Sequence, residues 1–197
     1  SGWIPTYGFY AAMSGFHPHV LLIWGSDVLL LPRRSRSHLL KTLFTLRVAD
    51  MVVVDSEVQK DAAIRYGCNP KKILCFPWAV DLDRFTPKPA PPKGNHRNSP
   101  IVLCARWHAP IYGIEYLLEA IPLIVSEIPT ARFVLVGSGS LTNKYRNFVS
   151  RRGLGEKVEF LGLVPHEKMP EILASCDVYV TPSLSDGSSA ALLEAMA

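Results

Sequence analysis

Short apolar runs alternate along the chain with longer stretches in which apolar positions recur every three or four residues. The short runs are rich in β-branched side chains, which predicts strands. They cover His19–Trp24, Met51–Val54, Lys72–Phe76, Ile101–Ala105, Ala131–Val136, Lys157–Phe160 and Asp177–Thr181. Because strands that alternate with helices form right-handed βαβ units, we expect parallel sheets and an α/β fold.

The stretches between the strands predict helices from their caps, their turn residues and their apolar spacing. These helices are expected over 10–15, 37–47, 56–67, 113–127, 142–152 and 167–176, and from residue 190 onward. Ser37 and Ser56 stand at the starts of two of them and are suitable N-cap residues.

The helix expected over 37–47 carries apolar residues on one face and lies in a basic segment. The apolar positions are Leu39, Leu40, Leu43, Phe44 and Leu46. A stripe of this width is ordinary for a helix packed on a sheet, which is the interpretation we favour. The alternative is that the basic helix 33–47 makes a peripheral contact with an anionic membrane.

A proline-rich segment divides the chain into two parts. Residues 87–100 contain five prolines and few apolar side chains, which is typical of a linker. We therefore predict one domain over 1–86 and a second over 101–197. The chain begins with Ser1 and ends within a helical pattern that has no stop signal. We expect it to be an internal fragment of a longer protein.

Composition and charge narrow the class of protein. The chain is 48% hydrophobic and 19% charged, as expected of a globular protein with a sizeable core. No apolar run reaches the roughly 18–20 residues that span a bilayer. The cysteines show no metal-ligand spacing, and we interpret them as reduced thiols of a cytoplasmic protein. The net charge is +4, and it is unevenly spread: residues 1–99 carry +6 and residues 100–197 carry −2, so the basic first half favours an anionic ligand. Nucleic acid is not expected, since no basic run is interleaved with aromatic residues.

The last fifteen residues, 183–197, combine a polar loop with a helix. Ser185–Ser189 follow a predicted strand, and an Ala/Leu-rich stretch follows them. Free N–H groups at a helix start bind anions, and carboxylates accept hydrogen bonds from sugar hydroxyls. Asp186 and Glu194 stand eight positions apart in this segment. The alternative is an ordinary helix that Asp186 or Ser188 caps.

This Asp-x7-Glu pattern, followed by Ala-Met-Ala, resembles the Glu-x7-Glu signature of retaining glycosyltransferases of family 4. Three further stretches agree with the resemblance. They are Pro77–Pro87, which is similar to the family's crossover between domains; Tyr112–Ala120, which is similar to its Lys-Gly-x-x-x-Leu-Leu-x-Ala; and Leu161–Pro165, which is similar to its base-binding stretch. The resemblance extends from about Pro18 to Ala197. It implies the GT-B fold, with two Rossmann-like parallel-sheet domains facing a cleft, both incomplete in this chain.

The chain departs from the family pattern at named positions. Asp186 stands where the family usually has Glu, and Tyr112 stands where it has Lys. A phenol donates one hydrogen bond but carries no positive charge at neutral pH, so the second change removes a cation from the expected phosphate site. His108, in the same loop, is a candidate for replacing that cation when it is protonated.

The resemblance implies transfer of a hexose from a nucleoside-diphosphate sugar to an acceptor hydroxyl, with retention of configuration. The catalytic residues it implies are Arg106, Asp186 and Glu194. The donor-binding residues are Gly137, Gly139, Val164, Gly187, Ser188 and Glu194. On the acceptor side, the candidates are Asp27 and Ser56. The family's fold uses no metal, and no cofactor is expected beyond the donor sugar nucleotide.

The expected partners are the nucleotide-sugar donor and an acceptor glycan or lipid-linked sugar. A cytoplasmic protein is expected, with the inner face of the membrane as a candidate location. Two alternatives stay open on the same fold: a non-catalytic protein that binds sugar nucleotides or acts as a scaffold, and a sugar-nucleotide epimerase.

Overall fold

The computed structural model describes residues 1–87 and 99–197, which form two compact units. The first unit comprises 1–79 together with 185–189, and the second comprises 80–184 together with 190–197. Each unit contains a sheet in which every strand pairing is parallel. The predicted α/β class with two parallel sheets is therefore confirmed.

The first unit is built on a three-stranded sheet of order β1-β2-β3. Its strands are β1 (Val20–Leu22), β2 (Met51–Val54) and β3 (Ile73–Cys75). Its helices are α1 (Phe9–Met13), α2 (Ser26–Leu29), α3 (Leu31–Arg34), α4 (Arg36–Val48) and α5 (Glu57–Arg65), with a π-helical turn over Ile4–Gly8. Leu21 and Val52 are wholly buried in the centre of the sheet, and Leu46 and Ala63 cover them from the helices.

The second unit has a four-stranded sheet of order β6-β5-β4-β7. Its strands are β4 (Ile101–Ala105), β5 (Arg132–Val136), β6 (Val158–Gly162) and β7 (Val178–Tyr179). Its helices are α6 (Ile114–Glu127), α7 (Thr142–Arg151), α8 (Met169–Ala174) and α9 (Ala190–Met196). Helix α6 buries Ile114, Leu117, Leu118 and Ile121, the spacing of one helical face, against β4 and β5.

Helix α4 packs differently from the sequence prediction. It begins at Arg36, after the extended residue Ser35, so Ser37 lies inside the helix and is not its cap. The buried face contains Thr42, Thr45 and Leu46, whereas Leu40 and Phe44 are exposed. Small side chains are favoured on this face because the π-helical turn comes close to it. A Cβ placed on Gly8 would lie 3.6 Å from Cγ2 of Thr45.

The limits of the compact units differ from the predicted domain limits. Residues 80–86, expected in the first domain, group with the second unit because Phe85 is buried with Leu103, Val136 and Met169. Conversely, 185–189 group with the first unit. The predicted linker 87–100 lies mostly outside the described residues. Helix α2 and the first two residues of α3 lie where the sequence pattern predicts no helix or strand.

Candidate functional site

An oriented cation lies where two neighbouring strands of the second unit end. Arg106 directly follows β4, and Nε of its guanidinium donates to Oγ1 of Thr181 at 3.2 Å and to Oγ of Ser183 at 3.1 Å. The two hydroxyl residues follow β7, which pairs in parallel with β4. The guanidinium carbon also lies 5.0 Å from the centre of the Tyr112 ring. Parallel α/β sheets bind ligands at this carboxyl edge, so Arg106 is suitably held to meet an anion.

Tyr112 stands where the family has lysine, and its ring makes a contact of its own with Arg106. Its aromatic face is attracted to a cation, which helps to fix the direction of the Arg106 side chain. The glycine after it, Gly113, has a positive φ of 59°. A Cβ there would collide with the carbonyl oxygen of Pro182, so the loop can approach the residues after β7 only because this position lacks a side chain.

The glycine turn after β5 packs directly on the loop after β4. Gly137 has a φ of 126°, and a Cβ there would collide with the carbonyl oxygen of Arg106. On Gly139, a Cβ would lie 2.5 Å from the carbonyl oxygen of His108. The N–H of His108 donates to the carbonyl of Ser138 at 3.0 Å and joins the two loops. The close approach of the two backbones explains both glycines, and their contact with a ligand stays a prediction.

His108 does not supply the missing cation, so that expectation is wrong. Its side chain is buried, and burial, followed by the nearby Arg146 charge, lowers its pKa. Its Nδ1 lies 2.9 Å from Oγ1 of Thr142, which also accepts the N–H of Gly139 at 2.9 Å. His108 and Thr142 thus hold the glycine turn in place. The hydroxyl at Thr142, three positions after Gly139, is the signal that could have revealed this.

Glu194 is held by a residue that the sequence did not single out. Nε2 of His166 lies 2.7 Å from Oε1 of Glu194 on α9, and the glutamate side chain is 13% exposed. His166 starts a short 3-10 turn directly after Pro165. Val164, the predicted base-binding residue, is half-buried against the cluster that contains Phe85. Glu194 and the segment 164–166 are therefore close together in the second unit.

In the first unit, N–H groups of the loop expected to hold phosphate donate to carboxylates of the protein. The N–H of Gly187 donates to Oδ1 of Asp186 at 3.0 Å, and the N–H of Ser188 donates to Oδ1 of Asp55 at 3.0 Å. The other oxygen of Asp55 accepts from Nε1 of Trp78 at 2.8 Å. A Cβ on Gly187 would collide with the Asp55 carboxylate. Both N–H groups thus face anionic oxygen, although the oxygen belongs to the protein.

The two acceptor-side candidates, Asp27 and Ser56, occupy positions that shape the local backbone. Asp27 is wholly buried, and its carboxylate accepts the N–H groups of Ile4, Trp24 and Gly25 at 3.3, 3.2 and 2.9 Å. Burial raises the pKa of Asp27, and the backbone N–H bonds oppose that shift. Ser56 occupies the N-cap position of α5 with extended backbone, but its side chain makes no capping hydrogen bond. Their acceptor-side roles stay predictions.

Across residues 1–87 and 99–197, no group of three His, Cys, Asp or Glu side chains is arranged to hold a metal ion. In the same ranges, every helix is too short or too polar to cross a bilayer.

Comparison with known proteins connects this arrangement to one family. The chain is 31% identical over 162 residues to a phosphatidylinositol N-acetylglucosaminyltransferase subunit of Arabidopsis thaliana, covering 80% of this chain and 35% of that protein. It is 27% identical to mannosylfructose-phosphate synthase of Agrobacterium fabrum, covering 91% of this chain and 45% of that protein. The chain thus spans between a third and a half of the length of these relatives.

Among solved structures, Anabaena HepE in complex with UDP and glucose has a TM-score of 0.78 at 20% identity, covering 96% of this chain and 54% of that one. Staphylococcus aureus TarM has a TM-score of 0.71 at 18% identity, covering 90% and 34%. These likenesses establish the GT-B type of fold with its two parallel sheets. Residues 99–197 match the family described as "Glycosyl transferases group 1". The chain belongs to the group 1 glycosyltransferases.

Proposed function

We propose that this chain is part of an enzyme that moves a hexose from a nucleoside-diphosphate sugar to an acceptor hydroxyl. The observation that carries the proposal is Arg106, held by Thr181, Ser183 and the Tyr112 ring at the carboxyl edge of the second sheet. Family membership and the solved neighbour that holds UDP and glucose support the same interpretation. The proposal concerns the complete protein, because the relatives extend beyond the part that this chain matches.

In this proposal, Arg106 pairs with the donor diphosphate, whose negative charge grows as the glycosidic C–O bond breaks. A preorganised donor at such a position stabilises the transition state more than the ground state. Glu194 accepts hydrogen bonds from the ribose hydroxyls, and the main chain of Val164 lies against the base. The Gly137–Gly139 turn lets the backbone approach the phosphates.

Asp186, Gly187 and Ser188 are proposed to contact the transferred sugar and its phosphate. The N–H groups of Gly187 and Ser188 already donate to carboxylates, so each must exchange a protein acceptor for a ligand oxygen. We further propose retention of configuration without a metal. The acceptor attacks from the face that the phosphate leaves, and that phosphate takes the acceptor's proton.

The test compares Arg106→Ala with Arg132→Ala in the complete protein, supplied with UDP-, GDP- and ADP-sugars. Arg106 follows the end of β4, whereas Arg132 is the exposed first residue of the neighbouring strand β5. Arg132 therefore serves as the matched control. Loss of the Arg106 guanidinium is expected to lower kcat/KM by about 100-fold, the size typical of one oxyanion donor. Full turnover by Arg106→Ala would contradict the proposal, as would an equal loss in both variants.

We also propose a lipid-linked acceptor and a peripheral membrane contact at the cytoplasmic face. Arg36, Leu40, Leu43 and Arg47 recur along one line of α4, and all of them are exposed. Apolar side chains flanked by arginine favour an anionic bilayer surface. A relative is named for phosphatidylinositol, which is a lipid. Flotation with phosphatidylglycerol vesicles should recover the protein, and Leu40→Ser with Leu43→Ser should reduce that recovery. Unchanged recovery would count against this contact.

A further inference from the structure

Glu194 is a carboxylate on a short helix, and one of its oxygens is already engaged. Oε1 accepts a hydrogen bond from Nε2 of His166 at 2.7 Å, while the Glu194 side chain is 13% exposed. A carboxylate offers about four lone-pair sites on its two oxygens. The contact with His166 therefore orients the group and leaves acceptor capacity for a ligand.

The imidazole of His166 is itself held in place. Pro165 precedes it with a φ of −57°, and the N–H of Lys168 returns to the carbonyl of Pro165 at 2.9 Å to close the turn. The ring lies 5.5 Å from the ring of Phe85, which is buried between β4, β5 and α8. His166 thus combines a backbone held by a turn, a neighbouring aromatic ring and a donor aimed at Glu194.

We propose that His166 is a positioning residue for the donor ribose, acting through Glu194. This inference rests on the proposed function, in which Glu194 accepts hydrogen bonds from the ribose hydroxyls. A free glutamate side chain samples many rotamers, and fixing one of them costs conformational entropy. His166 fixes the rotamer before the nucleotide arrives, so less of that cost falls on the binding step.

A positioning role for His166 predicts different effects from direct contact with the nucleotide. His166 requires an N–H at the position of Nε2, and its effect requires both the Glu194 carboxylate and the ribose hydroxyls. His166→Gln keeps a donor at a similar distance from the backbone. His166→Phe keeps a ring against Phe85 but has no donor. The pair therefore separates hydrogen bonding from packing.

The experiment measures nucleotide binding to the complete protein by calorimetry. UDP, GDP and ADP are titrated into the wild type, and the tightest of them is then compared with its 2′,3′-dideoxy counterpart. For the ribonucleotide, His166→Phe is expected to weaken binding about fivefold, from the lost preorganisation. His166→Gln is expected to restore most of the affinity. Lys168→Ala, on the same turn, is the matched control and should bind as the wild type does.

Two further arms decide whether His166 acts through Glu194. With the dideoxy nucleotide, His166→Phe should bind as the wild type does, because the hydroxyls that Glu194 would accept are absent. In a Glu194→Ala background, adding His166→Phe should cause no further loss. If the loss persists in either arm, or if His166→Phe tightens ribonucleotide binding, the inference is overturned while the proposed function stands. If the wild type binds none of the three nucleotides, both fall.

Discussion

The two units differ in the polar side chains that they bury. The first unit buries Asp27, Asp55 and Gln59 close to its sheet. Among the described residues of the second unit, one histidine, His108, is buried among mainly apolar side chains. In the first unit, these polar groups accept backbone N–H bonds from irregular segments. In the second unit, glycines bring the irregular segments together by close approach of the backbone. The comparison teaches that a polar residue next to a strand end can be a structural acceptor rather than a ligand contact.

Replacement of Asp27 with Ala tests the first half of this comparison and should have the largest effect. The change removes the acceptor of the N–H groups of Ile4, Trp24 and Gly25, of which those of Ile4 and Gly25 are buried. We expect the free energy of unfolding to fall by about 3 kcal/mol, measured by urea denaturation. Asp61→Ala, at an exposed position of α5, is the control and should change it by less than about 0.5 kcal/mol. Equal effects of the two would mean that Asp27 does not hold the backbone.

The glycine turn of the second unit provides the matching test. A methyl group on Gly139 would lie 2.5 Å from the carbonyl oxygen of His108, and one on Gly155 would meet no atom within 4 Å. Gly139→Ala should therefore lower the free energy of unfolding by about 2 kcal/mol through overpacking. Gly155→Ala should be neutral or slightly stabilising. The comparison of the units would fail if both variants unfolded at the same urea concentration.

His108, the one buried histidine among the described residues of the second unit, should give a smaller effect on the free energy of unfolding, and that effect should depend on pH. Burial lowers the pKa of His108 below its ordinary value of 6.5. The unfolded chain then takes up this proton first as the pH falls, so stability declines as the pH drops below about 6.5 and levels off below the folded-state pKa. His108→Gln should remove that part of the decline between pH 7.5 and pH 5. Parallel stability curves for the two proteins would show that His108 is not the group responsible.

The smallest expected effect concerns Tyr112, whose ring orients Arg106. A cation–π contact at a partly exposed site contributes about 0.5–1 kcal/mol, so Tyr112→Leu should weaken binding of the proposed nucleotide-sugar donor about two- to fivefold. Tyr112→Phe keeps the ring and should bind normally. A loss in Tyr112→Phe as large as in Tyr112→Leu would assign the effect to the phenol hydroxyl instead.

Much of the second unit could be predicted from the sequence. The strands at 101–105 and 132–136 and the helix from residue 114 have the expected limits within about two residues, because their apolar periodicity is regular. Family motifs also singled out Arg106 and Glu194, whose roles in donor binding stay predictions. His166 was missed because nothing in a linear pattern reveals a hydrogen bond between residues 28 positions apart.

The first unit was less predictable, for two physical reasons. The stripe over Leu39–Leu46 suggested a packed face, but the close approach of the π-helical turn favours Thr42 and Thr45 there and leaves Leu40 and Phe44 outside. Asp27 follows a buried strand, the position expected of a ligand contact, yet unpaired backbone N–H groups nearby compete for the same carboxylate. Sequence patterns do not show how such competition is decided.

The hydrogen bond between Asp55 and the N–H of Ser188 joins residues 133 positions apart within one compact unit. During synthesis on the ribosome, the sheet of the first unit emerges before Ser188, and Asp55 must wait for 133 further residues to be translated. Contacts so distant along the chain form late and carry a high entropic cost of closure. The native surroundings of Asp55 and Trp78 are therefore completed only when the segment around Ser188 joins the first unit, and the indole fluorescence of Trp78 offers a natural reporter of that step.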